Sequence, residues 1–171
     1  MKILIAATHI PALGKKGFQS VAYSRINFLI NKGYKVNLVC YGDHSKESDL
    51  ADLILLEKLG VKVTLIKYKK LSAIANIFIA LFNNTPFQCA IYISKEFKNI
   101  FEKQIKLIRP DFVYCIMARV AINLSYETYP LVIDLVDSLS LNFDRRVKNS
   151  SGIKKFFLQQ ELLRISKFER H

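Results

Sequence analysis

The sequence has little of what makes a chain irregular, cross-linked or membrane-spanning. It holds four prolines and six glycines in 171 residues, which excludes low-complexity, collagen-like and linker-dominated architectures. Its three cysteines, Cys40, Cys89 and Cys115, are too few and too scattered for a disulfide framework or a zinc site. No metal is expected, and a reducing cytoplasm is the simplest home. No stretch reaches the roughly 18 apolar residues that a membrane span requires. The longest, Leu71 to Phe82, is interrupted by Ser72 and Asn76. The amino-terminal apolar run, Met1 to Ala7, breaks at Thr8, His9 and Pro11 with no small-residue cleavage site behind it. A buried first strand is therefore the better reading than a signal peptide. Acidic residues are also scarce: 14 against 26 lysines and arginines, a net charge of +12. Such an excess favours an anionic partner, whether nucleic acid, anionic lipid or a phosphorylated ligand. Nucleic acid has only the charge in its favour. There is no recognition-helix pattern, no aromatic-basic strand of the RNP kind and no zinc-finger spacing, and the lysines are scattered rather than striped.

What is present is a core-forming chain with room for one domain of ordinary size, 51% apolar and 23% charged. Short β-branched runs alternate with longer helical patterns. Lys2 to Thr8 is a continuous apolar run, as expected of a strand covered on both faces. From Phe18 to Lys32 apolar residues fall at 18, 21, 22, 26, 29 and 30, the spacing of a helical face, and Gly33 stands where a C′ glycine would end it. Lys35 to Tyr41 reads as a second strand. Lys46 to Leu59 is a helix stopping at Gly60, and Val61 to Tyr68 is a third strand. Leu71 to Phe82 is an apolar helix, and Ser94 to Ile108 a basic amphipathic one ending before Pro110. Asp111 to Met117 and Leu131 to Val136 are two more strands, and Ile153 to Arg170 a long terminal helix. This β-α-β alternation with short connections predicts an α/β fold, a Rossmann-like doubly wound parallel sheet with helices on both faces. His171 closes a helical pattern without a C-cap signal, so residues 1–171 are expected to be a single such domain, incomplete at the carboxyl end.

Several residues fall at expected carboxyl ends of strands, where ligands bind in such folds. The loop Gly14-Lys15-Lys16-Gly17 sits between the first strand and first helix. Glycines there let a backbone approach a phosphate, and the next helix offers free N–H groups. Its spelling is neither G-x-G-x-x-G nor the Walker pattern, so a surface loop with solvated lysines is the competing reading. His9 could be a general base, a ligand contact or a hydrogen-bonded structural histidine. Arg119 could clamp a phosphate or carboxylate, or be solvated. Asp134 lies within a strand, where a carboxylate must be paired; a structural partner such as a backbone group or an arginine is expected. Asp137 stands at the strand exit, either capping the following segment or facing a ligand. Asp43 lies near the place of a ribose-binding acid, but without the glycine pattern of a dinucleotide binder. Lys67, Lys69 and Lys70 precede the apolar helix that carries Ile74 and Phe78. Apolar residues that insert beside lysines that meet headgroups would suit an anionic membrane. A core helix with solvated lysines is the alternative.

Three pieces of this sequence resemble one family. The opening Met1 to Pro11, with its glycine-containing loop and the helix-strand passage Leu29 to Val39, resembles the start of a GT-B glycosyltransferase of the family 4 type. Arg109-Pro-Asp-Phe-Val-Tyr114 resembles that family's P-D-hydrophobic-hydrophobic-H strand. Pro130 to Ser140 with Arg145 and Arg146, followed by Glu161 to Arg170, resembles its P-x-V-x-D-x-x-D strand and E-x-x-R helix. The resemblance spans nearly the whole chain and implies the acceptor-side, N-terminal half of a two-domain enzyme. A nucleotide-sugar donor would be a substrate held mainly by a second, C-terminal domain, with no metal or other cofactor required. The acceptor would be a glycan or lipid-linked molecule, and the Gly14–Gly17 loop would lie near the donor diphosphate and the acceptor. The implied place is cytoplasmic, peripheral on the inner face of the cell membrane. The chain departs from the family in having Tyr114, Cys115 and Ile116 where many members carry a histidine. Catalytic candidates are thus His9, Arg119 and Asp137, and the chain alone is expected to be inactive. The competing expectation is a non-catalytic basic Rossmann-like module that docks on anionic membrane or on a partner protein.

Overall fold

The computed structural model describes residues 1–15, 17–125, 128–136 and 138–170. Its elements run β1 (Lys2–Ala7), α1 (Gly17–Asn31), β2 (Lys35–Tyr41), α2 (Glu47–Lys58), β3 (Lys62–Ile66), α3 (Lys70–Ala80), α4 (Phe87–Ala90), α5 (Lys95–Ile108), β4 (Phe112–Ile116), α6 (Ala118–Ala121), β5 (Leu131–Asp134), α7 (Leu139–Lys148) and α8 (Gly152–Glu169). The strands form one sheet, all parallel, in the order β3-β2-β1-β4-β5. The chain steps outward from β1 through β2 to β3, then returns to the other side of β1 for β4 and β5. This is the Rossmann-like doubly wound sheet, with its direction reversing between β1 and β4.

The continuous apolar runs of β1 and β2 follow from burial on both faces, whereas the edge strand β5 leaves Val132 and Ile133 exposed. Ile3 and Ile5 of β1, with Val36, Leu38 and Cys40 of β2, point into a core closed by Ala22 and Ile26 of α1 and Leu56 of α2. Leu4 and Ala6, with Val39, Val113 and Cys115, point the other way, onto Phe97 and Phe101 of α5 and Val120 and Ala121 of α6. A third, smaller core joins α7 to α8 through Leu139, Phe143 and Val147 against Leu158 and Ile165. Among the described residues no helix is long and apolar enough to cross a membrane.

Local signals set the helix ends. Gly33 and Gly60 end α1 and α2 with φ of 80° and 86°, the left-handed conformation that glycine adopts without a Cβ penalty. Ser94 caps α5, its Oγ accepting from the Phe97 N–H at 3.1 Å. The same helix ends on Arg109, a non-glycine residue at φ 49°.

The expected strands and long helices are present, with ends shifted by one or two residues. β3 and β5 are shorter than their apolar runs. Each is an edge strand, so its ladder stops with its one neighbour: β3 at Ile66 opposite Tyr41, β5 at Asp134 opposite Ile116. Helices α4, α6 and α7 did not stand out in the sequence. The first two are four residues each, too short to display a period. The third keeps Leu139, Phe143 and Val147 in step, but Ser140 and Asn142 dilute the pattern in its first turns.

Candidate functional site

Five loops leave the carboxyl ends of the strands. The first begins Thr8-His9-Ile10 and is pinned at its base. Gln19 Nε2 donates to the Ile10 carbonyl at 2.9 Å, and the Ala12 N–H donates to the Gln19 carbonyl at 3.2 Å. Ile10 and Ala12 are consequently buried, whereas Leu13, Gly14 and Lys15 are exposed. Gly14 stands at φ +72°, a conformation that resists any side chain. Lys15 turns towards α2, ion-paired with Asp52 and within 3.5 Å of the Ser48 carbonyl. Gly17 opens α1, whose first turn carries no acidic residue. Lys16 lies outside the described residues.

The second and third loops supply aromatic rings. Tyr41, at the end of β2, lies 5.8 Å from Tyr68 and 5.8 Å from Tyr92, and Tyr68 lies 6.0 Å from Tyr92. The Tyr41 hydroxyl donates to the Tyr92 carbonyl at 2.8 Å. His9 joins this group, its ring 5.2 Å from Phe18 and 6.3 Å from Tyr92, with Nδ1 within 3.1 Å of the Thr8 hydroxyl. Burial pushes the Tyr41, Tyr68 and Tyr92 hydroxyls above their ordinary range, so all three stay protonated at neutral pH.

The fourth loop brings the cation. β4 ends at Ile116, and Met117 follows at φ 78°, ψ 131°, a conformation non-glycine residues rarely adopt. Strained backbone of this kind costs about 1–3 kcal/mol and persists only where surroundings hold it. Here the Met117 N–H donates to the Asp134 carbonyl at 3.0 Å, and the Thr8 hydroxyl meets its sulfur at 3.5 Å. The turn carries half-buried Arg119 towards Tyr92, whose hydroxyl pKa the guanidinium charge lowers, opposing the rise caused by burial. Arg119 Nε is buried and has no hydrogen-bond partner among the described residues. His9, Arg119 and the tyrosines therefore come together, although positions 9 and 119 lie far apart in the chain.

Other candidates are satisfied structurally. Asp134 pairs with Arg25 and accepts from the Tyr114 hydroxyl, while Arg25 Nη1 donates to that hydroxyl at 3.1 Å. The expectation of an arginine partner for Asp134 is met. Asp43 accepts from the Ser45 N–H at 3.0 Å and hydroxyl at 2.7 Å, and Lys67 lies 3.2 Å away. These bonds, Ser45 first, lower its pKa to about 2. Asp137 and His171 lie outside the described residues. The cap of α7 is Ser138, whose Oγ accepts from the Leu141 N–H, with Glu169 taking the Leu139 N–H at 2.8 Å. All three cysteines are buried thiols, and burial pushes Cys89 up to about 12.

The lysines before α3 divide. Lys67 pairs with Asp43, and Lys69 with Glu96 at 2.7 Å, while Lys70 begins the helix. α3 itself is held on one face by Ala73 and Ala80 and by Asn76, whose Nδ2 donates to the Ile93 carbonyl at 2.8 Å. The opposite face carries Leu71, Ile74, Phe78 and Ile79, all exposed, with Phe78 61% accessible.

The residues that carried the family resemblance have defined structural roles. Asp111 accepts from the Lys2 N–H at 2.6 Å, tying the start of β4 to the start of β1. In the Glu161-x-x-Arg164 pattern, Glu161 Oε1 accepts from the Gln88 N–H at 3.2 Å. Arg164 donates to the Ala80 carbonyl at 3.3 Å and lies over the Phe87 ring at 4.6 Å. The pattern latches α8 to α3 and α4. The aromatic partners Tyr41, Tyr68 and Tyr92 had no signal of their own in the sequence, because no short spacing links them. Among the described residues no three His, Cys, Asp or Glu side chains are grouped to hold a metal ion.

No family model and no curated protein matches the chain.

Proposed function

We propose that this chain is the acceptor-side half of a glycosyltransferase, transferring sugar from a nucleotide-sugar to a lipid-linked or surface-polysaccharide acceptor. The observation that carries the reading is the carboxyl-edge cluster: the rings of His9 and exposed Tyr68 around buried Tyr92, beside a half-buried Arg119 whose Nε has no hydrogen-bond partner among the described residues. Aromatic faces pack against the C–H faces of sugars, and a guanidinium takes a phosphate or carboxylate through directed N–H bonds. An acceptor that joins a sugar to an anionic linker presents both features. His9 is the candidate general base for the acceptor hydroxyl, because an imidazole nitrogen at this edge can accept a hydroxyl proton. The Gly14–Gly17 loop would line the same edge, with Gly17 at the start of α1. The resemblance of Arg109–Tyr114, Pro130–Ser140 and Glu161–Arg170 to glycosyltransferase family 4 points the same way. In that family the donor is held by a second Rossmann-like domain.

The test is transfer of radiolabelled sugar by the full-length protein to extracted lipid or glycan acceptors. Transfer lost in Gly17→Val, with helix content retained, supports the loop's part; among the described residues nothing beyond its chain neighbours lies within 4 Å of a Cβ added there. No transfer and no donor hydrolysis with any common nucleotide-sugar would overturn the enzyme reading.

A second reading is favoured by the exposed apolar face of α3 with Lys67, Lys69 and Lys70 at its start. It is a basic module that docks peripherally on the anionic inner face of a membrane. The two readings are compatible, and sugar transfer separates an enzyme from a docking module alone.

A further inference from the structure

The turn between α7 and α8 combines two local costs that its own fold does not offset. The last turn of α7 carries Arg145, Arg146 and Lys148, and the first turn of α8 carries Lys154 and Lys155. Cations suit a helix carboxyl end, but at an amino end they oppose the dipole. The α8 amino end has no acidic residue in its first turn and no side-chain cap. Between positions 139 and 160 the acid is Asp144, and it is already paired with Lys148 at 2.6 Å. The second cost is apolar exposure. Ile153, Phe156 and Phe157 are 79%, 58% and 64% accessible, and burial of α8 begins only at Leu158, at 8%. The two phenyl rings meet edge to face at 5.9 Å, forming a small apolar knob beside the lysines.

A partner that relieves both costs must offer negative charge and an apolar medium within one helical turn of each other. A bilayer interface rich in anionic lipid does so, with headgroups over an acyl boundary. A polynucleotide would match the charge but leave Ile153 without an apolar medium. We infer that the α7–α8 turn is a lipid-contact surface, separate from α3. Ile153, Phe156 and Phe157 enter the acyl boundary, while Arg145, Arg146, Lys154 and Lys155 meet anionic headgroups. The inference extends the peripheral-membrane reading to a second place and does not rest on sugar transfer.

The chain contains no tryptophan, so a single introduced indole reports on one place. The Phe156→Trp variant is mixed with vesicles of phosphatidylglycerol and phosphatidylcholine, and separately with phosphatidylcholine alone. Position 156 is exposed, and circular dichroism compares the variant's fold with the parent's. The expected result is a blue shift of emission with anionic vesicles only, quenched by brominated acyl chains. Adding Lys154→Gln and Lys155→Gln should weaken partitioning about thirtyfold, at about five- to sixfold per lysine near an anionic surface. A Phe78→Trp variant reports α3 in the same way. If Phe78→Trp responds and Phe156→Trp is silent, α3 alone touches lipid and the inference fails. If Phe156→Trp shifts with oligonucleotide but not with lipid, the partner is nucleic acid and the inference also fails. A responding Phe156→Trp in a protein without transferase activity leaves this contact standing and overturns only the enzyme reading.

Discussion

The two ends of the sheet differ in shape and in chemistry. At the amino end a groove of about 930 Å³ runs beside Lys2, Lys35, Lys62, Asn37, Thr64 and Gln104. Lys2 is committed to the frame there: its Nζ donates to the Ile108 carbonyl at 3.1 Å, and its N–H to Asp111. The carboxyl end is marked by its chemistry instead. It holds Arg119, whose Nε has no hydrogen-bond partner among the described residues, with a histidine, a strained Met117 and a group of tyrosines. Size therefore does not mark the candidate site. Strand direction does, because parallel strands deliver their loops and the following helix starts to one edge.

The largest expected effect tests what supports that edge. Phe97 is fully buried, 5.1 Å from Tyr41 and stacked on Phe101 at 6.0 Å. Phe97→Ala should cost about 3–5 kcal/mol of stability, measured by urea denaturation. Lys62→Ala, exposed at the amino end, should stay within about 0.5 kcal/mol of the parent. The next effect concerns activity. Arg119→Ala should lower kcat/KM for sugar transfer about a hundredfold through loss of a charge-assisted bond, with Lys62→Ala unchanged. Equal losses at both ends would break the comparison between them.

A smaller effect is read from pH. Burial raises the Glu161 pKa above its ordinary 4.5, against the Gln88 and Phe87 N–H groups and Arg164. The native state thus holds a proton that the unfolded chain has already released. Stability from this group is fully present below about 4.5 and falls as pH climbs through the raised value. Thermal melts from pH 4 upward should show that decline in the parent and a flatter profile in Glu161→Gln. A parallel pair of profiles would mean that the α8 latch is not where the proton sits. The smallest effect lies back at the amino end, where Arg109 occupies a left-handed helix end at φ 49°. Arg109→Gly should raise stability by about 0.5–1 kcal/mol, seen as a slightly higher Tm.

The helix ends also show why some features were legible and others not. α1 and α2 stop at glycines, which announce a left-handed residue in the sequence itself. α5 stops at an arginine before Pro110, so proline, not conformational freedom, was the visible signal. Asp134 was readable as a paired carboxylate because a charge inside a strand needs a partner. That the partners would be Arg25 and Tyr114 required the pairing of β4 with β5 and the packing of α1 beneath them. Lys15 was read by its position towards a ligand, yet its nearest acid proved to be Asp52 of α2. Long-range proximity of that kind leaves no local trace.

By itself the sequence determined the alternation of strands and helices, the burial of the central strands β1 and β2 on both faces and the net positive charge, whereas Val132 and Ile133 of the apolar edge strand β5 stay exposed. These are properties of neighbouring residues: the period of apolar side chains, the caps and the turn-formers. Only the tertiary structure decided which residues meet. The strand order brings the end of β1 beside the end of β4, so His9 and Arg119 share an edge with Tyr41, Tyr68 and Tyr92. The physical reason is that such contacts are set by the crossovers between parallel strands and by the cores on either face, not by any spacing along the chain.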